Sequence, residues 1–209
     1  MKKIIKAFAM ILTLCLFVCG CGRSPADGND NTQDGGTPPV NTVTPQIYPE
    51  VEGTVHNFIA KDTDKMIVDN GASDYRILIA EGADEDPFIA AAVADCKQLF
   101  AEATGIMLPV VNDSGDVSGG KFLAIGDTKL CSNESLGATL DALGKGGVRI
   151  KTVGDSVCMT GATTEAAMYA VYAFLEHTIG FEQFYTDFYT LDKDVTALKL
   201  YDYDVTDIP

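Results

Sequence analysis

The chain contains 209 residues, and its 30 acidic residues against 15 basic ones give a formal net charge of −15 at pH 7. This balance argues against nucleic acid as a partner, because phosphate binding depends on clusters of Lys and Arg. The two histidines, His56 and His177, lie far apart in no recognisable ligand spacing, so we expect neither a metal site nor a cofactor.

Residues 1–21 are predicted to be a signal segment. A basic start with Lys2, Lys3 and Lys6 precedes an apolar run at residues 7–18, which is too short to span a bilayer stably. The pattern predicts export, so the mature protein is expected outside the cytoplasm.

Two cysteines end this segment, and the sequence Val18-Cys19-Gly20-Cys21 resembles the cleavage box of bacterial lipoproteins. Cys21 is the expected lipid attachment site because the small Gly20 precedes it, whereas the branched Val18 precedes Cys19. Two or more acyl chains give stable attachment, so the membrane is an expected partner. We expect the protein on the outer face of the cytoplasmic membrane, or in the periplasm or outer membrane of a cell with two membranes. Simple secretion is the alternative.

Residues 22–53 are rich in Gly, Pro, Asn, Asp and Thr and contain five of the eight prolines. Such a composition cannot bury enough apolar surface to offset the entropy lost on ordering. We therefore predict a disordered linker that tethers a folded domain, residues 54–209, to the membrane anchor.

The first half of the folded domain carries clear strand and helix signals. Residues 77–79 and 122–125 are consecutive apolar residues, which is typical of central strands covered on both faces. Between them, residues 86–104 have the apolar spacing of an amphipathic helix. Pro87 suits the first helical position and Gly105 the stop after the last turn.

Asp127 lies just after the second of these strands, in the sequence Gly126-Asp127-Thr128. In α/β sheets, ligands bind outside the carboxyl ends of the strands, so Asp127 is a candidate contact residue. The commoner role of an Asp in this position is to cap its own loop.

The next segment has the pattern of a hairpin. Along residues 148–152, Arg149 and Lys151 alternate with less polar residues, which predicts a strand with one solvent-exposed face. Gly154-Asp155 then forms a two-residue turn into a second strand at residues 157–159.

A second helix is predicted to begin at Thr163 or Thr164, either of which could cap it, and to end at Gly180. Both helices could pack on one face of a mixed sheet, which predicts an α+β fold, an α/β sandwich. Strands near residues 181–185 and 195–201 are expected to complete the sheet.

Three cysteines, Cys96, Cys131 and Cys158, would remain after signal removal and lipidation. Three cannot all pair internally, so a disulfide framework is not indicated. Cys96 in the first helix and Cys158 in a strand are expected to be small buried apolar residues.

A cluster of aromatic residues follows the second helix. Its members are Phe181, Phe184, Tyr185, Phe188 and Tyr189. Exposed rings here could stack on sugar faces while Asp187 accepts sugar hydroxyls. Alternatively, the rings fill the seam between helix and sheet, or the interface with a following domain.

Taken together, several stretches resemble one known module. They are YRILIA at residues 75–80, LFAEATGIMLPVV at 99–111, FLAIGDT at 122–128, GVRIKTVGD at 147–155, and the strand, helix and aromatic run at 156–187. The module is the small α/β domain ahead of the catalytic barrel in β-N-acetylhexosaminidase-like and α-glucuronidase-like glycoside hydrolases. The resemblance covers residues 74–205 and implies an accessory domain without catalytic residues. It also implies that Tyr185 and Asp187 lie near the catalytic domain.

The sequence itself marks no glycosidase active site. Most such enzymes hold two carboxyl groups about 5 to 9.5 Å apart, and no pair of acids here is marked for that role. The catalytic barrel of these families takes about 250 residues, whereas four residues follow Val205.

We therefore expect the front portion of a lipid-anchored extracellular glycoside hydrolase, with its catalytic domain as the missing partner. The rival hypothesis is a free-standing surface lipoprotein that binds glycan or protein through the aromatic cluster. A peptidase or nucleotide-binding enzyme is the least expected class, because the chain has no HExxH, GxSxG or phosphate-cradling glycine loop.

Overall fold

The structure, a computed structural model, describes residues 55–186 and 188–208. The predicted signal segment with Cys21, the predicted linker and the candidate residue Asp187 lie outside the described residues. Among the described residues, no helix has both the length and the apolar character needed to cross a membrane.

The described residues form eleven strands, three α-helices and three short 3₁₀ helices. The strands are β1 (Val55–Lys61), β2 (Met66–Val68), β3 (Arg76–Ile79), β4 (Val110–Asn112), β5 (Phe122–Ile125), β6 (Val148–Val153), β7 (Ser156–Gly161), β8 (Glu182–Tyr185), β9 (Phe188–Thr190), β10 (Leu198–Lys199) and β11 (Asp202–Ile208). The α-helices are α1 (Pro87–Thr104), α2 (Asn133–Leu136) and α3 (Thr164–Ile179), with short 3₁₀ helices at Ala83–Glu85, Lys129–Cys131 and Leu140–Leu143.

Seven strands form one mixed sheet in the order β1-β11-β6-β7-β5-β3-β4. The neighbours β7, β5, β3 and β4 run parallel to one another, and the β6, β11 and β1 side is antiparallel. The α+β fold expected from the sequence is confirmed.

Both predicted main helices have the ends that local signals indicate. Asp86 caps α1 by accepting hydrogen bonds from the backbone N–H groups of Phe88 and Ile89, and Pro87 occupies the first position. Thr163 is the cap of α3, since its hydroxyl accepts from the N–H of Ala166. Gly105 ends α1 with a φ of 76°, a left-handed conformation that other residues adopt only with strain.

The helices α1 and α3 pack on the same face of the sheet. Alternate strand residues such as Ile77, Leu123 and Met159 point to this face and form one core with Phe100 and Phe174 of the two helices. This packing confirms the predicted arrangement of two main helices on a mixed sheet.

The opposite face of the sheet is covered by residues 129–143. Leu78, Ala124 and Cys158 meet Cys131 and Leu136 of this segment in a second apolar cluster. Strands β3, β5 and β7 are therefore buried on both faces, as the continuous apolar runs of β3 and β5 predicted.

The prediction of one solvent-exposed face on β6 is wrong for Arg149, which is only 5% exposed. Its guanidinium donates to the Leu136 carbonyl from Nε at 3.2 Å and Nη2 at 2.6 Å, and to Asp204 Oδ1 from Nη1 at 2.6 Å. Because α2 packs over β6 at this point, hydrogen bonds to protein groups replace the solvent that the alternating pattern suggested.

The strands predicted near residues 181–185 and 195–201 do not complete the main sheet. β8 pairs with β9 as a separate hairpin, and β10 pairs with β2. The sheet is completed instead by β11, which lies between β6 and β1. Because β11 pairs with strands that are far from it in the sequence, no local sequence pattern predicts this pairing.

Candidate functional site

The hairpin of β8 and β9 begins immediately after α3 and is anchored by Phe181. This side chain is 8% exposed and its ring packs against those of Tyr172 on α3 and Tyr189 on β9, with centroids 6.0 and 5.7 Å away. The Tyr172 hydroxyl donates to Asp95 at 2.6 Å and the Tyr189 hydroxyl donates to Glu102 at 2.8 Å. Both acceptors lie on α1, so the base of the hairpin is tied to both main helices.

The far part of the hairpin presents three aromatic rings to solvent. Phe184 is 53% exposed, Tyr185 77% and Phe188 58%, and the two Phe rings contact each other at a centroid distance of 5.7 Å. We call these three side chains the hairpin aromatic surface. The aromatic cluster of the sequence therefore has two parts: Phe181 and Tyr189 fill the seam, whereas the other three rings are exposed.

A shallow cleft of about 510 Å³ lies between α3 and β8, beside the hairpin aromatic surface. It is lined by Tyr172, Glu176, Phe181, Glu182, Gln183 and Phe184. An aromatic wall with acidic and amide groups around it can stack a sugar ring and bond its hydroxyls.

Asp127 is exposed at the carboxyl end of β5 and lies between two further depressions. Its carboxylate hydrogen-bonds to no other described residue, so the expected loop-capping role is not seen. Thr128, not Asp127, precedes the following 3₁₀ helix at its cap position, and its side chain makes no capping bond.

The loops at this edge of the sheet are held by Asp113, a residue that sequence reasoning missed. Asp113 is buried and accepts hydrogen bonds from the backbone N–H groups of Glu81, at 3.1 Å, and Lys129, at 2.7 Å. It thereby joins the segments that follow β3 and β5. Its place directly after β4 resembles that of Asp127 after β5, which is the signal that could have identified it.

The acids with shifted pKa values among the described residues are all shifted downward. Hydrogen bonds to the ionised form lower the pKa of Asp86 (from the N–H of Ile89), Glu102 (from Lys193), Asp116 (from the N–H of Ser118) and Asp155 (from Lys65). For Asp204, desolvation raises the pKa, but the hydrogen bond and charge of Arg149 outweigh it. These groups favour the ionised form, the opposite of what a general acid needs.

The three cysteines of the domain are buried thiols. The expectation for Cys96 and Cys158 is confirmed. Burial, with a smaller effect of the charge of Asp95, raises the pKa of Cys96 to about 12. Cys131, which accepts a hydrogen bond from the Thr128 hydroxyl at 3.2 Å, lies in the same apolar cluster as Cys158. Within residues 55–186 and 188–208, no group of three or more His, Cys, Asp or Glu side chains is placed to hold a metal ion.

Comparison with known proteins gives a limited result. No protein-family model matches the chain, and no curated protein matches it at a significant level. One similar solved structure is that of CpGH84D, a glycoside hydrolase. The match has a TM-score of 0.40 and 8% sequence identity, covering 76% of this chain and 23% of that protein. This chain thus spans less than a quarter of the length of CpGH84D, and a likeness at this level carries no argument about activity.

Proposed function

We propose that the chain is the non-catalytic N-terminal domain of a lipid-anchored, extracellular glycoside hydrolase, and that it supports a catalytic domain. The family resemblance in the sequence suggests this role. The observation that carries it is the hairpin aromatic surface: Phe184 and Phe188 contact each other, Tyr185 lies on the same hairpin, and all three rings are more than half exposed. Exposed apolar area of this kind is what another protein surface would cover.

The five described carboxyl groups whose pKa is shifted fit a structural role. Glycoside hydrolysis needs one carboxyl group whose raised pKa keeps it protonated near neutral pH. The shifted carboxyl groups here move in the opposite direction, and their partners are ordinary structural groups such as helix N–H groups and lysines.

The size of the native product tests the proposal. An antibody against residues 54–209 would be used to blot detergent-extracted membranes of the source cells. We expect a band several times heavier than the 22.3 kDa of this chain. A band near 22 kDa would instead overturn the proposal of a larger hydrolase.

The proposed anchor is tested separately by metabolic labelling with a fatty acid. The wild-type protein and a Cys19→Ala variant are expected to incorporate the label, whereas a Cys21→Ala variant is not. Equal labelling of Cys21→Ala, or loss of labelling in Cys19→Ala alone, would contradict attachment at Cys21.

A second candidate is a free-standing surface lipoprotein that binds glycan through the hairpin. The observation favouring it is the cleft of about 510 Å³ beside Phe184. Its lining includes Glu176, Glu182 and Gln183, polar residues that a purely apolar docking surface would not need. A glycan array probed with the 22 kDa form, with Phe184→Ala as the comparison, separates the two. Binding that Phe184→Ala abolishes supports the second candidate, and no binding excludes it for the glycans on the array.

A further inference from the structure

The strand β1 lies at one edge of the seven-stranded sheet and pairs with β11 along all seven of its residues. Its outer side pairs with no other strand among the described residues, so alternate backbone N–H and C=O groups point away from the sheet there. The strand at the opposite edge, β4, has only three residues. β1 therefore presents the longer row of open hydrogen-bonding groups, and such a row is a template for a further strand.

Neither covering layer of the sheet extends fully over this edge. On one face α3 packs mainly over β7 and β6, and on the other the segment 129–143 lies over β7, β5 and β3, with α2 reaching β6. Six of the seven residues of β1 are consequently exposed. Three of them are large and apolar: Val55 is 40% exposed, Phe58 51% and Ile59 37%.

β1 lacks the devices that usually keep edge strands apart. Proteins protect such edges with short strands, prolines, bulges or several charged side chains. The strand Val55–Lys61 pairs with β11 in a continuous register, and it contains no proline, no acidic residue and a single lysine. The chain as a whole has a net charge of −15, so two copies repel each other over most of their surfaces. β1 is a place where they can meet without opposing carboxylates.

Antiparallel pairing of β1 with β1 of a second copy has one register in which all seven residues find partners. The middle residue, Phe58, then faces its own counterpart. The other facing pairs are Val55 with Lys61, His56 with Ala60, and Asn57 with Ile59. Like charges do not face each other in this register, and the two lysines lie at opposite ends, about 20 Å apart, beyond the screening length of physiological salt.

We infer that β1 is a self-association surface, at which two copies of this chain pair edge to edge around a twofold axis at Phe58. The Phe58 ring lies beside that of His177 on α3, with centroids 5.2 Å apart, and half of its surface is open. The facing Phe58 of the second copy would cover this open part, and aromatic pairs across two strands stabilise a sheet. The contact is isologous, so it closes at two copies.

The expected dimer is weak and reversible. An edge-to-edge contact of seven residues lies at or below the low end of the usual interface range of about 1,200 to 2,000 Å². We therefore expect a Kd of about 10 to 100 µM. The inference does not depend on the proposed function, because it concerns the edge of the sheet and not the hairpin.

The dimer is tested by sedimentation equilibrium of the full chain in a neutrally buoyant detergent, which keeps the apolar segment 7–18 dispersed. Between about 5 and 300 µM, the mass should rise from that of one chain towards that of two. Amide hydrogen exchange at both ends of this range locates the contact. Residues 55–61 should exchange more slowly at the higher concentration, because their outward N–H groups become hydrogen-bonded.

Charge variants at the axis test the register. Phe58→Asp and Phe58→Lys each place like charges opposite each other, so each should weaken the dimer about tenfold or more. An equimolar mixture of these two variants brings opposite charges together and should associate at least about fivefold more tightly than either variant alone. Tyr169→Asp is the matched control, since Tyr169 on α3 is also 51% exposed and the substitution adds the same charge. It should leave the dimer unchanged.

The inference is overturned by a chain that stays monomeric at about 300 µM, by equal weakening in Tyr169→Asp and Phe58→Asp, or by a mixture that associates no better than its components. Association retained in both Phe58 variants would assign it to another surface, such as the hairpin aromatic surface, and would equally overturn the inference. Urea unfolding curves of the Phe58 variants ensure that weaker association does not reflect a misfolded domain.

Discussion

At the scale of single residues, Arg149 links three parts of the domain. Its guanidinium bonds the Leu136 carbonyl in the covering segment and, at 2.9 Å, the Val205 carbonyl in β11. Removing one partner of a buried charged network leaves the others desolvated and unpaired, which costs about 3 kcal/mol or more. We therefore expect Arg149→Ala to lower the free energy of unfolding, measured with urea, by about this amount.

The matched control for this variant is Lys151→Ala. Lys151 also contacts Asp204, at 3.3 Å, but it is the more exposed of the two cations. Loss of an exposed pair costs about 1 kcal/mol or less. Equal losses in the two variants would contradict the role given to Arg149.

Asp204 makes the free energy of unfolding of the domain depend on pH. Because Arg149 holds its folded-state pKa below the ordinary value, the carboxylate stabilises the fold fully above about pH 4. This contribution is lost as the pH falls from there through the folded-state pKa. Urea unfolding between about pH 4.5 and 2.5 should therefore show a shallower loss of stability in Asp204→Asn than in the wild type. Parallel curves would contradict the prediction.

Single residues were the hardest features to predict from the sequence. Asp127 was correctly placed after a central strand because the apolar run before it is a local signal. The burial of Arg149 and the bridging role of Asp113 depend on segments that pack over them, so no local pattern reveals them. The exposure of Phe184 and the burial of Phe181, three residues earlier, likewise follow from where the hairpin meets α3.

At the scale of elements, the cap of α3 can be assigned to one of two adjacent threonines. The Thr163 hydroxyl accepts the N–H of Ala166 and donates to the Lys145 carbonyl, whereas Thr164 is the first residue of the helix. Loss of a threonine cap typically costs about 1 kcal/mol. Thr163→Ala should therefore lower the melting temperature clearly, and Thr164→Ala less. The reverse order would show that the neighbouring residue is the cap.

The hairpin aromatic surface should be dispensable for folding. Replacing Phe184, Tyr185 and Phe188 together by Ser removes exposed rings, and surface changes usually alter stability by about 0.5 kcal/mol or less each. Phe181→Ala, in contrast, removes a buried ring and should cost about 3 kcal/mol. Sedimentation and dye binding should show less self-association in the triple variant. A large loss of stability in that variant would mean that the rings serve the core and not an interface.

Elements with strong local signals were predicted well, and the others were not. α1 and α3 have caps, periodic apolar faces and glycine stops, and the β6–β7 hairpin has a two-residue turn. β1 was missed because all but one of its residues are exposed, so it lacks the alternation of a half-buried strand. The strands predicted near residues 181–185 and 195–201, which correspond to β8 and β10, were wrongly assigned to the main sheet. The sequence of a strand indicates that it is a strand but not which other strand it will pair with.

At the scale of the whole molecule, β11 completes the fold. It carries the buried residues Tyr203 and Val205 into the core and pairs with β6 on one side and β1 on the other. Tyr203 also meets Phe174 of α3, with ring centroids 5.8 Å apart. The last described strand therefore joins the sheet, the helix layer and the first strand.

Deleting residues 202–209 should consequently abolish cooperative unfolding. The deletion removes two buried side chains, exposes the edge of β6 and leaves Arg149 without Asp204. Together these losses are of the same size as the usual stability of a domain, about 5 to 15 kcal/mol. Deleting residues 55–61 should be tolerated, because β1 is an edge strand with almost no buried side chain. Urea unfolding and amide exchange of both deletions, compared with the full chain, test this asymmetry. A cooperative transition without β11 would mean that the core of α1, α3 and the parallel strands is stable by itself.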